Sequence, residues 1–97
     1  DIILSPDKNY ILEGMQRTYS VYLYKNNVQQ PDTFTFTCNP NDVPSKNYIF
    51  TVVDGNHFVI SNALRDVYSY LTVTCTSGSN IKNFNIYLRG MWQYDSI

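Results

Sequence analysis

The sequence predicts an all-β chain folded as a two-sheet sandwich of about seven strands. Three observations predict it. Apolar and polar residues alternate with a period of two over most of the chain, as in Tyr19–Tyr24, Thr33–Cys38, Tyr70–Cys75 and Asn83–Leu88, which places successive side chains on opposite faces of a strand. Clusters of Gly, Pro, Asn, Asp and Ser separate these runs at intervals of roughly 8 to 12 residues. Helical spacing is nearly absent, and only Asn62–Tyr68 could form one turn.

The elements follow in order. Ile2-Ile3-Leu4 before Ser5-Pro6, and Tyr10-Ile11-Leu12 before Glu13-Gly14, read as two short pieces of an edge strand broken by a turn. A long strand follows, with Tyr19, Val21 and Leu23 in one phase and Ser20, Tyr22 and Tyr24 in the other; it ends at Lys25-Asn26-Asn27, because Asn tolerates turn geometry. The third strand carries Phe34, Phe36 and Cys38 against Thr33, Thr35 and Thr37, and Asn39-Pro40-Asn41-Asp42 stops it. Pro40 and Pro44 keep that connection out of a sheet interior. In Tyr48–Ser61, Asp54-Gly55 sits between two β-branched runs, a strong hairpin cue because both central residues of the favoured turn need positive φ. Leu71, Val73 and Cys75, then Phe84, Ile86 and Leu88, share the inward phase of a last hairpin closed by Ser77-Gly78-Ser79-Asn80. The expected core is Tyr19, Val21, Leu23, Phe34, Phe36, Leu71, Val73, Phe84, Ile86 and Leu88.

Ninety-seven residues make one domain, 1–97, with a single core. The chain starts at Asp1 rather than Met, so the expectation is a domain excised from a longer polypeptide. Charged residues are only 15% of the chain, below the usual quarter, and neutral polar groups carry the solubility. A net charge of −1 and a pI near 5.6, with no run of Lys or Arg, offer no field for phosphate backbones. Nucleic acid and anionic membrane are therefore poor partners. No stretch approaches the ~20 apolar residues of a membrane span, so membrane insertion is not expected.

Cys38 and Cys75 admit two readings, a disulfide of a secreted domain or two thiols acting as small hydrophobes. If the third and sixth strands are antiparallel neighbours, each Cys lies at the C-terminal end of its strand. Such ends lie far apart, whereas a bridge needs Cα atoms within about 7 Å. Two unbridged thiols are expected.

Several segments together resemble a known family. Leu4-Ser5-Pro6, then Leu12-Glu13-Gly14 followed after three residues by Thr18-Tyr19-Ser20-Val21, is similar to the start of bacterial immunoglobulin-like domains of the group-2 type. Phe36-Thr37-Cys38-Asn39-Pro40 resembles that family's aromatic-Ser-Ser-Asn-Pro segment, and Leu71–Gly78 its Ile-Thr-Ala-Thr-Ser-Gly strand and turn. The likeness spans nearly the whole chain; Asp66-Val67-Tyr68-Ser69 stands where the family has a Gly. The resemblance implies an immunoglobulin-like sandwich without chemistry, appended to structural proteins of tailed bacteriophages or to bacterial surface adhesins. The Tyr- and Asn-rich composition, low charge and unbridged Cys resemble the phage group more closely. The implied setting is a virion or a bacterial cell surface, and the implied partners are other virion or surface-protein domains and a host cell-surface glycan.

Catalytic and metal-binding residues are not expected. His57 is the only histidine and Glu13 the only glutamate, which leaves neither a histidine-based metal cluster nor a paired glutamate site. Asp54, Asn56 and Asp66 carry oxygen ligands but not in the spacing of a calcium loop, and turn chemistry accounts for the first two. No cofactor is implied. What remains is surface. The third, sixth and seventh strands together would present Thr33, Thr35, Thr37, Tyr70, Thr72, Thr74, Asn83, Asn85 and Tyr87 on one uncharged face, and the other sheet would turn Tyr22 and Tyr24 outward. The candidate binding residues are Thr35, Thr72, Tyr87, Tyr22 and Tyr24, set against the plainer reading that Thr and Tyr simply favour strands. The tail Gly90–Ile97 carries the only Trp, Trp92, as an end cap or the start of a linker. Weak adhesion to cell-surface polymers is the expected function, with a ligand-free spacer or docking domain as the alternative.

Overall fold

The computed structural model describes residues 1–64 and 68–90. Its strands are β1 (Ile2–Ser5), β2 (Tyr10–Leu12), β3 (Gln16–Lys25), β4 (Val28–Gln29), β5 (Thr35–Asn39), β6 (Tyr48–Asp54), β7 (His57–Asn62), β8 (Tyr68–Ser77) and β9 (Asn80–Arg89), with one 3-10 turn at Ser45–Asn47. They form two sheets packed as an immunoglobulin-like sandwich. One has the order β1-β3-β7-β6 with β4 hydrogen-bonded to β3, and the other β2-β9-β8-β5. The expected Asn62–Tyr68 turn falls partly outside the described residues, and so does the tail, of which Gly90 is described and Trp92 is not; Asn62 itself closes β7.

The two pieces at the front are not one edge strand. β1 runs antiparallel to β3 in the first sheet, whereas β2 runs parallel to β9 in the second. The connection at residues 6–9 carries the chain across the sandwich. Its second half is tied to both sheets, because the Tyr19 hydroxyl donates to the Lys8 carbonyl at 2.6 Å and the Tyr87 amide donates to the Asn9 carbonyl at 2.7 Å.

Each hairpin is explained by its turn residues. Asn26 and Asn27 both have positive φ, 52° and 64°, the geometry of a type I′ turn between Lys25 and Val28. The strand β4 that this turn creates was not visible in the sequence. Gly78 has φ of 60° and precedes Ser79 in the two-residue link between Ser77 and Asn80, a position that suits Gly. The third hairpin corrects the expectation by one residue. Asp54 pairs with His57, so Gly55 and Asn56 form the turn, and neither has positive φ. Gly is needed at 55 for close approach, since a Cβ there would lie 2.6 Å from the Thr33 Cβ. The Asp54 carboxylate accepts the Asn56 amide at 2.8 Å and faces His57 Nδ1 at 2.7 Å. His57 is thus the partly exposed first residue of β7, beside the turn.

The inward phases of both sheets meet in one core. Phe58 lies at its centre, with ring centroids 5.2 Å from Phe36, 5.3 Å from Tyr19 and 5.5 Å from Phe50. Tyr19, Val21, Leu23, Leu71, Val73, Ile86 and Leu88 are fully buried, as expected, and Ile11, Phe58 and Ile60 join them. Phe84 is only half-buried at the sandwich edge, where the Lys82 ammonium lies 5.3 Å from its ring centroid. On the edge strand β6, Ile49, Val52 and Val53 are exposed and the register shifts between Val52 and Asp54. Such a bulge is one way proteins blunt an open edge.

Cys38 and Cys75 are both free, but for a different reason from the one expected. Cys75 pairs with Phe36 and Cys38 with Val73, so the thiols are diagonal neighbours rather than at opposite ends of the pair. Diagonal positions on antiparallel strands lie roughly 7 to 8 Å apart, beyond the ~4 Å Cβ separation of a disulfide. Burial pushes the Cys75 thiol up to about 12 and also raises that of Cys38, which keeps the thiolate scarce at neutral pH. Alkylation without reductant should therefore leave Cys75 unlabelled in the native protein. After denaturation intact mass should show two labels, and zero labels would require a bridge that this register forbids.

Candidate functional site

The outer face of the β2-β9-β8-β5 sheet is built by registration of alternate residues. Thr72 stands opposite Asn85 and Asn39, Thr74 opposite Asn83 and Thr37, Tyr70 opposite Tyr87, and Tyr87 in turn beside Tyr10. None of these residues is charged. The Tyr70 and Tyr87 rings pack at 5.5 Å between centroids, and Arg17 and Arg89 lie 5.4 and 5.3 Å from the Tyr10 ring centroid.

The polar groups of this face are organised by one another. The Thr72 hydroxyl donates to Asn85 Oδ1 at 3.0 Å, and the Thr74 hydroxyl donates to Asn83 Oδ1 at 2.8 Å. From the loop after β5, the Asn41 amide donates to Thr72 Oγ1 at 3.2 Å and to the Tyr70 carbonyl at 3.0 Å. Asn41 can do this because it takes the left-handed conformation, φ 53°, which Asn adopts readily. The two Thr side chains thereby hold the two Asn amide oxygens toward β8, so the amide NH2 groups point away from it.

The five candidates separate into two places. Thr72 and Tyr87 lie near each other on this face, and Thr35 lies four residues along, opposite Thr76, a distance of about 13 Å. Thr72 is part of the internal ladder rather than a free ligand group. Tyr22 and Tyr24 project from β3 on the opposite side of the sandwich, so all five do not form one site. There Tyr22 meets the His57 ring edge-to-face at 6.4 Å, and the Tyr24 hydroxyl is 3.4 Å from Gln29 Oε1. Thr33 does not belong to the face either: it precedes β5 and packs against Gly55. Tyr10 and Asn41 were missed. The signal for Asn41 was present in the Asn39–Asp42 turn cluster, and the signal for Tyr10 required knowing that β2 changes sheets.

Beside this face lies a groove of about 620 Å3, lined by β1, by Asp7, Lys8 and Asn9 of the crossover, and by Lys82–Asn85 and Tyr87 of β9. Among the described residues no group of three or more His, Cys, Asp or Glu is placed to hold a metal ion, and no helix is long and apolar enough to cross a membrane.

No protein-family model and no curated protein sequence matches the chain. Among solved structures, the chain is similar to domains 4 and 5 of the S-layer protein SbsC, with a TM-score of 0.61 at 11% identity. The match covers 93% of this chain and 51% of that one, so the chain spans about half the length of its neighbour. At this identity the likeness concerns the fold.

Proposed function

We propose that the chain is a non-catalytic immunoglobulin-like module of the bacterial group-2 type, carried by a surface-exposed protein of a bacteriophage particle or a bacterial cell, and that it adheres weakly to cell-surface polymers. One observation carries the reading: the Tyr10, Tyr87 and Tyr70 side chains adjoin rows of Asn and Thr whose amides are held in fixed orientation. Aromatic rings supply apolar contact area at small entropic cost, and ordered amides supply neutral hydrogen bonds. The S-layer neighbour supports a surface setting. Its partners in this reading are a host glycan and adjoining domains of the parent protein, without nucleic acid or membrane insertion.

A spacer or docking role is the second reading. It is favoured by the satisfied Thr hydroxyls, and by a neighbour whose crystal structure comprises two domains, of which this chain spans about half. Particles displaying many copies separate the two, because linking weak sites multiplies avidity without new contacts. In the adhesive reading, Tyr87→Ala combined with Thr72→Ala reduces retention on bacterial cells several-fold while the folded fraction is kept. Retention should change little between low and high salt, as expected for a net charge of −1. Retention by the doubly substituted module equal to that of the parent selects the spacer.

A further inference from the structure

The groove between β1 and β9 exists because β2 is short. It pairs with β9 only at Tyr87, Leu88 and Arg89, so among the described residues β9 has no strand neighbour on that side from Lys82 to Ile86. The walls are fixed before any ligand arrives. The crossover is pinned through the Lys8 and Asn9 carbonyls, and the Lys82 ammonium donates to the Ile2 carbonyl at 3.1 Å.

We propose that this groove is the binding site of the module and that it takes a neutral oligosaccharide, a proposal that rests on the adhesive reading above. Asn83 and Asn85 line the groove, and Thr74 and Thr72 hold their amide oxygens on the far side. Two NH2 groups, about 7 Å apart along the strand, are thus presented to it as oriented donors. Hydroxyl and ring oxygens of a sugar are matching acceptors, Asp7 accepts from sugar hydroxyls, and Tyr87 offers a ring at the end nearest Tyr70. Charge in the groove is balanced: Lys8 is accompanied by Asp7 in the same loop, and Lys82 Nζ lies 3.3 Å from Asp1 Oδ1. That balance favours a neutral ligand over an anionic one. The volume falls within the ~300 to 1,000 Å3 typical of small-molecule sites.

The test is titration of the isotope-labelled protein with soluble gluco-, manno- and N-acetylglucosamine oligosaccharides at millimolar concentration, read by amide NMR shifts. At least one series should shift the side-chain NH2 signals of Asn83 and Asn85 and the backbone signals of Lys8 and Asn9. Asn83→Asp with Asn85→Asp keeps the acceptors for Thr74 and Thr72 but removes both donors. It should weaken binding roughly tenfold or more, as loss of two neutral hydrogen bonds implies, with melting retained; Asn83→Ala with Asn85→Ala is the second variant should the first not fold. Tyr22→Ala, on the opposite sheet, should bind as the parent does. Sugar shifts confined to Tyr70 and the β5 threonines, or undiminished binding by both Asn variants, overturn the groove and leave the adhesive face standing. No shift with any series, while multivalent particles still adhere to cells, overturns the sugar as ligand. Failure of both assays removes the adhesive reading along with the groove.

Discussion

Phe58→Ala is expected to remove about 3 to 5 kcal/mol of stability, the range for truncating a large aromatic in a packed core. Phe58 is fully buried on β7 and its ring touches Tyr19 from β3, Phe50 from β6 and Phe36 from the opposite sheet. Removing it opens a cavity whose walls belong to both sheets, so no single side chain can move in to fill it. Phe36→Ala should cost about as much by the same scale, but Phe36 sits on the five-residue edge strand β5 and keeps slight exposure, so its site can relax more. The expected order is therefore Phe58 above Phe36. A domain of this size has only some 5 to 15 kcal/mol in total, and Phe58→Ala should lower the urea midpoint sharply without changing the slope. A loss below about 1 kcal/mol, typical of surface changes, would place Phe58 outside the core.

Most of the fold was legible because its long strands state their inward face by alternation. In β3, β8 and β9 the buried residues are the phase that the sequence names. Phe58 and Ile60 carry the same signal in His57–Asn62, but beside Asp54-Gly55 that run marks a hairpin more strongly than a core phase. The parallel pairing of β2 with β9 was not legible. Three residues give too short a run to show a phase, and the partner lies 77 residues further along the chain, Tyr10 with Tyr87. The reason for Gly55 was equally hidden, since it depends on Thr33 arriving from a different loop. At the candidate site, alternation placed Thr72, Asn83, Asn85 and Tyr87 on one face. It could not say that the Thr hydroxyls are engaged by those Asn amides, because that follows from register between strands.

Asn62 shows what alternation could have revealed. It continues the inward phase of Phe58 and Ile60, and it is the one polar or charged side chain buried among the described residues. Its amide donates to the Ile11 carbonyl at 2.7 Å and the Arg89 carbonyl at 3.3 Å, and its Oδ1 accepts the Leu64 amide at 2.7 Å. One side chain of the first sheet thus holds β2 and β9 of the second, close to the crossover that frames the groove. Asn62→Ala should cost about 2 to 4 kcal/mol, since buried backbone groups lose partners at roughly 1 kcal/mol or more each. Asn62→Asp should cost at least as much at neutral pH, because a buried carboxylate would face the Ile11 and Arg89 carbonyl oxygens where the amide NH2 now donates to them. The pH dependence separates the two variants. Burial raises the pKa of the introduced carboxyl above its unfolded value, so the folded state binds the proton more tightly and the extra destabilisation fades as pH falls through that raised pKa. The parent has an opposite trend from Asp54, whose carboxyl the Asn56 amide and then His57 hold below its usual range; that contribution is lost on acidification. Subtracting the parent's curve should leave Asn62→Ala flat and Asn62→Asp recovering stability toward acid. A flat difference for Asn62→Asp would mean that the side chain at 62 reaches water, and that the pin between the sheets is not closed.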